Sequence, residues 1–299
     1  MGSAGSRQPA GESILDLRQP SRRAVPLVVA SPHSGAEYPD DFLTSSRLDP
    51  LTLRRSEDSF VDQIFAAAPE LGVPLLAARF PRAYLDANRE AWELDPAMFA
   101  DPLPPFVNHR SPRVRMGLGT IARVVASGEE IYARKLRFAE ARRRVDTLYY
   151  PYHHALRRLL DETENAFGVY LLLDCHSMPS AASAIGGQPA ADIVLGDCHG
   201  VSCTPRLVET AREFLAERNF TVALNAPYAG GFTTAHYGNP RRGRHSLQIE
   251  INRALYMDER NYRKKPGFDR VQVEMTGLVA QLGELMQEFV VEPPRAAAE

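Results

Sequence analysis

Cysteine is scarce in this sequence of 299 residues: Cys175, Cys198 and Cys203 leave one unpaired in any scheme. That excludes a disulfide-stapled secreted scaffold and suits a reducing compartment. No CxxC pair and no HExxH occur, so the compact zinc signatures are missing. Neither sign of charge predominates, with 35 Lys and Arg against 37 Asp and Glu and a formal net charge of −2. Such a balance gives no electrostatic footing on nucleic acid or an anionic membrane. Apolar runs reach only the length of a strand, and the opening "MGSAGSRQPAGES" lacks the apolar core of an export signal. The expectation is a cytoplasmic protein with no nucleic-acid or membrane partner. No Pro/Gly/Ser-rich linker divides the chain, which reads as a single domain over 13–291 between loose tails at 1–12 and 292–299.

What is present is an alternation of short apolar segments with longer periodic ones. "VPLVVASPH" (25–33), "VPLLAARF" (73–80), "VYLLLDCH" (169–176), "DIVLGD" (192–197), "FTVALNAP" (220–227) and "HSLQIEIN" (245–252) are strand-like. Helices are expected at about 50–70, behind Asp49-Pro50, and at about 129–166, 203–218 and 267–290, with Pro151 splitting or kinking the second near Tyr150. Near-continuous Val/Leu/Ile strands separated by helices predict a three-layer α/β fold. Its central sheet is mostly parallel or mixed, with helices on both faces. The Pro- and Gly-rich stretch 90–128 has weak periodicity and reads as an excursion over the sheet, a lid.

In such folds ligands gather beyond the carboxyl ends of the strands. Polar residues that end an apolar strand are therefore the first candidates: His33, His176 and Glu250. The triplet Asp-Cys-His occurs twice, at 174–176 and 197–199. On a strand successive side chains face opposite ways, so Cys175 cannot use His176 as a base, whereas Asp174 and His176 share a face. The second triplet, inside "GDCHG", reads as a strand-to-helix turn with Asp197 capping the reversal. Zinc can be held by two histidines and a carboxylate that lie far apart in sequence, leaving a fourth position for water. His33 in "ASPHSG", where Gly35 permits a sharp turn, and His176 supply the histidines. "LRRSEDSFVDQIF" (53–65) offers Glu57, Asp58 and Asp62 as carboxylates. Read as a helix, that segment sets Glu57 in its apolar stripe and Asp58 at the edge. A buried acid there needs a cation or an arginine as partner.

"SPHSGAEYP" (31–39), "SEDSFVD" (56–62), "RAYLDANR" (82–89), "LLLDCHSMP" (171–179) and "APYAGGFTTAHYGNPRRGRHSLQIEINRALYMDE" (226–259) together resemble the N-formylglutamate amidohydrolase family, in the family's order and across nearly the whole chain. The resemblance implies a zinc-carboxypeptidase-like α/β fold and one catalytic Zn2+. It also implies release of formate from N-formyl-L-glutamate, a late step in one route of histidine breakdown. His33 and His176 then take the histidine ligand places, Asp58 the carboxylate place with Glu57 as the alternative, and Glu250 the place of the catalytic glutamate. Three residues after the first histidine, where a carboxypeptidase-type site keeps its acid, stands Ala36.

Substrate anchoring falls to "DANR". An arginine fork binds a carboxylate bidentately, so Arg89 with Asn88 is the expected anchor, and Arg82 a second cation near the acyl oxygen or a side-chain carboxylate. The Gly-rich "YAGGFTTAHYG" lets backbone approach a ligand, with Thr233, Thr234 and His236 in reach, and His245 precedes Glu250. No Lys follows these glycines in the register of a phosphate-binding loop. His153 and His154 read as core edge and surface. Two other readings compete: a deacylase of acetyl or succinyl amino acids or of a small peptide, and a metal-containing binding protein without turnover.

Overall fold

The computed structural model describes residues 14–182 and 191–290; the segments read as tails, 1–12 and 292–299, lie outside the described residues. Seven strands, β1 (Leu15–Arg18), β2 (Leu27–Ser31), β3 (Leu75–Ala78), β4 (Tyr170–Met178), β5 (Ile193–Gly196), β6 (Val222–Leu224) and β7 (Arg244–Asn252), form one sheet in the order β1-β3-β2-β4-β7-β5-β6. β2 runs parallel to β3 and β4, β4 to β7, and β5 to β6. β1 is antiparallel to β3 and β5 to β7, so the sheet is mixed.

The central strands are covered on both faces, which is why they read as unbroken apolar runs; all nine residues of β4 are buried. Leu27, Val29, Leu171, Leu173, Cys175, Leu247, Ile249 and Ile251 point to one face and pack on the helices Pro205–Glu217 and Gly267–Gln287. Val28, Ala30, Tyr170 and Leu172 point to the other, against the helix Tyr150–Phe167 and apolar residues of 80–138, among them Leu94, Phe99, Ile121 and Leu136. On this second face the side chains change character along each strand. Leu172 is followed by Asp174 and His176, and Ser246 by Gln248 and Glu250, while the first face stays apolar through Cys175 and Ile251. Because β2 leads to β3 on one side and β4 lies on the other, the carboxyl ends of β2 and β4 are the switch point at which folds of this class place a ligand.

Two expected helices differ. The segment 50–70 is broken into Pro50–Leu53, a 3-10 turn Arg54–Ser56, a short helix Val61–Ile64 and a 3-10 turn Ala68–Leu71. Phe60 has φ 69°, and the Asp58 amide donates to the His33 carbonyl at 3.0 Å instead of within a helix. Two buried carboxylates in succession find better partners in the interior than a helical turn offers. The expected helix 129–166 begins at Phe138, and residues Val145–Tyr149 form a π turn just ahead of Pro151. This wider turn accommodates the missing proline N–H and the bulk of its ring, so the helical path continues to Phe167. The helices expected at 203–218 and 267–290 are Pro205–Glu217 and Gly267–Gln287. β1 carried no strand signal because "LDLR" is a four-residue edge strand, half-buried throughout.

Gly35 follows β2 where a side chain has no room: a Cβ there would overlap the Phe80 carbonyl oxygen and the Arg79 backbone. Gly35→Ala is expected to lower stability by about 1–3 kcal/mol, measured by urea denaturation; an unchanged midpoint would show that the turn relaxes freely.

Candidate metal centre and its surroundings

His33 leaves β2, His176 stands on β4, and Asp58 is brought in by the amide bond from its own N–H to the His33 carbonyl. The three are buried, and one donor atom from each lies within 4.8 Å of the others. Asp58 Oδ2 is 2.9 Å from His176 Nδ1 and 3.4 Å from His33 Nδ1, and the two Nδ1 atoms are 3.1 Å apart.

The far sides of both rings assign the protons. His33 Nε2 lies 2.7 Å from Asp86 Oδ1, and His176 Nε2 lies 3.0 Å from Asp174 Oδ1. A carboxylate accepts only, so each Nε2 carries a hydrogen and each neutral ring presents a lone pair at Nδ1. Three lone pairs therefore face one point, two imidazole nitrogens and a carboxylate oxygen. Mutual repulsion makes that arrangement costly unless a proton or a metal ion sits among them, and the donor set, with carboxylates behind both imidazoles, could hold a divalent metal.

The outer partners keep the acids ionised. Burial opposes the charge of Asp58, but His176 and His33 hold its carboxyl well below the usual range. Its second oxygen accepts from Arg253 Nη2 (3.1 Å) and Ser177 Oγ (3.2 Å). Burial likewise opposes Asp86, yet Arg89 and Arg82 hold it well below the usual range. Asp86 also accepts from the Asn88 amide (2.8 Å) and Arg82 Nε (3.0 Å). Without a cation, burial works against charge on His176, but Asp174 and then Asp58 raise its pKa well above that of free imidazole.

Glu250 lies in register with His176 on the neighbouring strand and on the same face. Gln248 Nε2 donates to its Oε1 at 3.0 Å. Burial, with Asp58 adding to it, lifts the carboxyl to about 7 against the pull of His176, Arg82 and Arg253.

Several expected contributors lie elsewhere. Glu57 is turned away from the cluster. It accepts from Tyr38 Oη (2.6 Å), Ser59 Oγ (2.7 Å) and Arg54 Nε (3.0 Å) beside a cavity of about 480 Å³ behind the turn 34–37. Arg89 is buried and committed: Nε donates to the Leu118 carbonyl, Nη1 to the Asn88 carbonyl, and Nη2 pairs with Asp86 at 3.3 Å. Asn88 Oδ1 accepts from the Thr233 amide (2.8 Å), and Nδ2 donates to Asp174 Oδ2 (3.4 Å), so it braces the carboxylate behind His176. A Cβ at Gly231 would overlap this Asn88 side chain, which explains one glycine of the loop. Thr234 donates to Asp174 Oδ2 at 3.0 Å, while the Thr233 hydroxyl is buried without a partner among the described residues. His236 is exposed on the outer side of the helix Phe232–Tyr237, facing Arg157 Nη2 at 3.1 Å. His245 belongs to the opposite face of β7 and packs on Phe289. Arg82 has Nε on Asp86, a partly exposed side chain, and Asp58 and Glu250 as neighbouring charges.

Asp86 and Arg253 went unrecognised in the sequence. Asp86 had a signal in hindsight, an acid two residues before Asn88 in "YLDANR"; Arg253 had none. His153, read as core edge, is buried between the Ala87 carbonyl (2.8 Å) and Tyr237 Oη (2.9 Å), and Tyr149 Oη donates to the Arg89 carbonyl (2.8 Å). The helix thus grips the backbone on both sides of Asn88.

Asp58→Asn is expected to abolish stoichiometric metal, and Asp86→Asn to weaken metal affinity about 10–100-fold, read by chelator competition. Equal affinity in Asp86→Asn would remove the histidine-orienting role. Burial lowers His245 to about 4. Between that value and the free imidazole pKa near 6.5 the unfolded chain binds the extra proton, so stability falls as pH drops through this window, by on the order of 2 kcal/mol. His245→Leu should flatten that dependence in denaturation at pH 7 and 5.

The chain matches the N-formylglutamate amidohydrolase family pattern over residues 25–257. It is 29% identical over 240 residues to N-formylglutamate deformylase of Pseudomonas putida, covering 79% of this chain and 83% of the relative. The Pseudomonas aeruginosa enzyme of the same name is 27% identical over 80% and 84% of the two chains. The crystal structure of N-formylglutamate amidohydrolase from Ralstonia eutropha JMP134 superposes with a TM-score of 0.88 at 40% identity, covering 93% of this chain and 99% of the other. The gene product Atu2144 from Agrobacterium tumefaciens shares the fold, at a TM-score of 0.61 and 18% identity over 93% and 95% of the chains. A buried His-Asp-His cluster that could hold a metal, and a family pattern that spans most of the chain, make it a member of the N-formylglutamate amidohydrolase family.

Proposed function

We propose that this protein is a zinc-dependent amidohydrolase that converts N-formyl-L-glutamate and water to formate and L-glutamate. The observation that carries the reading is the convergence of His33 Nδ1, His176 Nδ1 and Asp58 Oδ2 beside an in-register Glu250, in a chain of this family. The ion would supply Lewis acidity, lowering the pKa of water and polarising the acyl oxygen.

The chain's own groups do the rest. Glu250 takes a proton from the attacking water as general base and returns it to the departing nitrogen, so that the amine leaves neutral. Gln248 fixes the carboxylate through its Nε2–H, and the buried strand keeps bulk water from competing for the proton. Arg82 is the anchoring cation of this reading, since Arg89 and Arg253 have their N–H groups engaged within the protein. Arg82 uses Nε on Asp86 and keeps its terminal nitrogens for a substrate carboxylate or the acyl oxygen. Three unpaired cysteines fit a reducing, cytoplasmic setting, and a late step in histidine breakdown is the metabolic place this substrate implies.

Purified protein is expected to contain one metal equivalent per chain and to release formate from N-formyl-L-glutamate faster than acetate or succinate from the matching analogues; absence of formate release would end the reading. Glu250→Gln should keep its metal and lose about 10²–10⁴-fold in turnover. The base must be ionised, and burial sets Glu250 near 7 before a neighbouring cation pulls it lower. The rate is therefore expected to fall with decreasing pH as Glu250 takes up its proton, at or below neutrality. A pH-rate profile with no acid limb down to the pKa of a free glutamate, about 4.3, would exclude Glu250 as the base.

A further inference from the structure

Ala87, Asn88 and Arg89 are buried and belong to no helix or strand, so their carbonyls depend on side chains for partners. All three find one. The Asn88 carbonyl accepts from Arg89 Nη1 (2.6 Å), the Arg89 carbonyl from Tyr149 Oη (2.8 Å) and the Ala87 carbonyl from His153 Nε2 (2.8 Å). Tyr149 and His153 stand one helical turn apart and so reach the same stretch of backbone. That stretch carries the two residues that back the metal centre. Asp86 takes the hydrogen of His33 Nε2, and Asn88 donates to Asp174, which takes that of His176 Nε2.

His153 also reaches in the other direction. A carbonyl only accepts, so Nε2 carries the ring hydrogen, and burial lowers the imidazole to about 4, which keeps it neutral at pH 7. Nδ1 is then an acceptor, and Tyr237 Oη donates to it at 2.9 Å. Tyr237 closes the helix Phe232–Tyr237, whose Thr233 amide donates to Asn88 Oδ1 (2.8 Å) and whose Thr234 hydroxyl donates to Asp174 Oδ2 (3.0 Å). β4 holds that end of the helix in turn, since Tyr170 Oη donates to the Tyr237 carbonyl at 2.8 Å. The rings of Tyr149, Phe232 and Tyr237 surround the imidazole, with centroids 4.3, 5.6 and 6.0 Å away. One neutral histidine thus joins two segments, remote in sequence, that brace the metal-facing imidazoles. With both nitrogens committed, its ring cannot turn without breaking a bond on one side.

We propose that His153 is a positioning residue of the metal centre: by tying the Ala87 carbonyl to Tyr237 it locks the segment of Asp86 and Asn88 to the helix of Thr233 and Thr234, and so fixes the orientation of His33 and His176. It touches neither metal nor substrate and acts through Asp86, Asn88 and Asp174. The assignment rests on the metal-dependent reading above. Without the tie, the carboxylates are no longer held square behind the two rings, and the lone pairs at Nδ1 converge less exactly on one point.

Two substitutions separate positioning from packing. His153→Phe keeps a ring among the aromatic neighbours and removes both hydrogen bonds, whereas His153→Gln offers an amide N–H and a carbonyl oxygen in their place. In chelator competition H153F should hold Zn2+ about 10-fold more weakly than the parent, and H153Q within about threefold of it. The visible absorption of the cobalt-substituted protein, which reports the geometry of the ligands, should change in H153F and return toward the parent in H153Q. Where H153F does not fold, Tyr237→Phe removes only the donor to Nδ1 and should weaken metal binding in the same direction. Parent-like affinity in H153F, or in Y237F where that variant stands in, and equal losses in H153F and H153Q each overturn the assignment. Should the parent itself hold no metal, both readings fall; where the parent is loaded and H153F holds zinc as tightly, only the role of His153 falls.

Discussion

Two imidazole lone pairs and one carboxylate oxygen are held face to face in the interior, and most of the polar architecture exists to keep them there. Left to themselves three acceptors would move apart or gather water. Here each is pinned from behind, His33 by Asp86, His176 by Asp174, and Asp58 by Arg253 and Ser177. The bracing extends outward again. Arg82, Arg89 and the Asn88 amide hold Asp86, Thr234 holds Asp174, and Tyr149 and His153 hold the carbonyls on either side of Asn88. Precision at the centre is thus assembled from hydrogen bonds two and three partners away.

Burying so many charges sets the second condition. Asp58, Asp86, Asp174 and Glu250 lie buried together, and the guanidinium groups of Arg82, Arg89 and Arg253 stand among them. The acids outnumber the arginines by one, and Glu250 relieves part of the excess by titrating near 7. Under the proposed reading a divalent ion turns the local balance positive, which favours a substrate carrying two carboxylates. The same need explains why Arg89 is spent inside the protein: without it Asp86 would be an ill-compensated buried charge, costly by several kcal/mol.

The sheet makes this possible by dividing labour between its faces. Along β4 and β7 one face is mainly apolar, supporting the helices Pro205–Glu217 and Gly267–Gln287, while the other turns polar near the carboxyl ends. Cys175 illustrates the division. It sits between Asp174 and His176 in the chain but packs in the apolar core, where burial raises its thiol pKa well above normal. The second Asp-Cys-His triplet has a different role: Asp197 accepts from the Gly200 amide (2.9 Å) and Asn225 Nδ2 (2.7 Å), closing a turn.

The strands, the mixed α/β architecture and the pairing of His33 with His176 were legible in the sequence, because apolar runs ending in polar residues report burial and strand direction directly. Local period also separates Cys175 from His176, since successive side chains on a strand face opposite ways. What the chain does between elements was not legible. Whether Glu57 or Asp58 turned inward depended on Phe60 adopting a left-handed conformation and on an amide bond to the His33 carbonyl. His236 and His245 looked as available as His176, yet the helix Phe232–Tyr237 points one outward and the pleat of β7 points the other to the opposite face. Arg89, chosen as an anchor for its chemistry, is consumed by Asp86 and the Leu118 carbonyl. Residue type and spacing set which groups could meet. Only the packed tertiary structure decided which of their donors and acceptors were already satisfied, since that depends on partners tens of residues away.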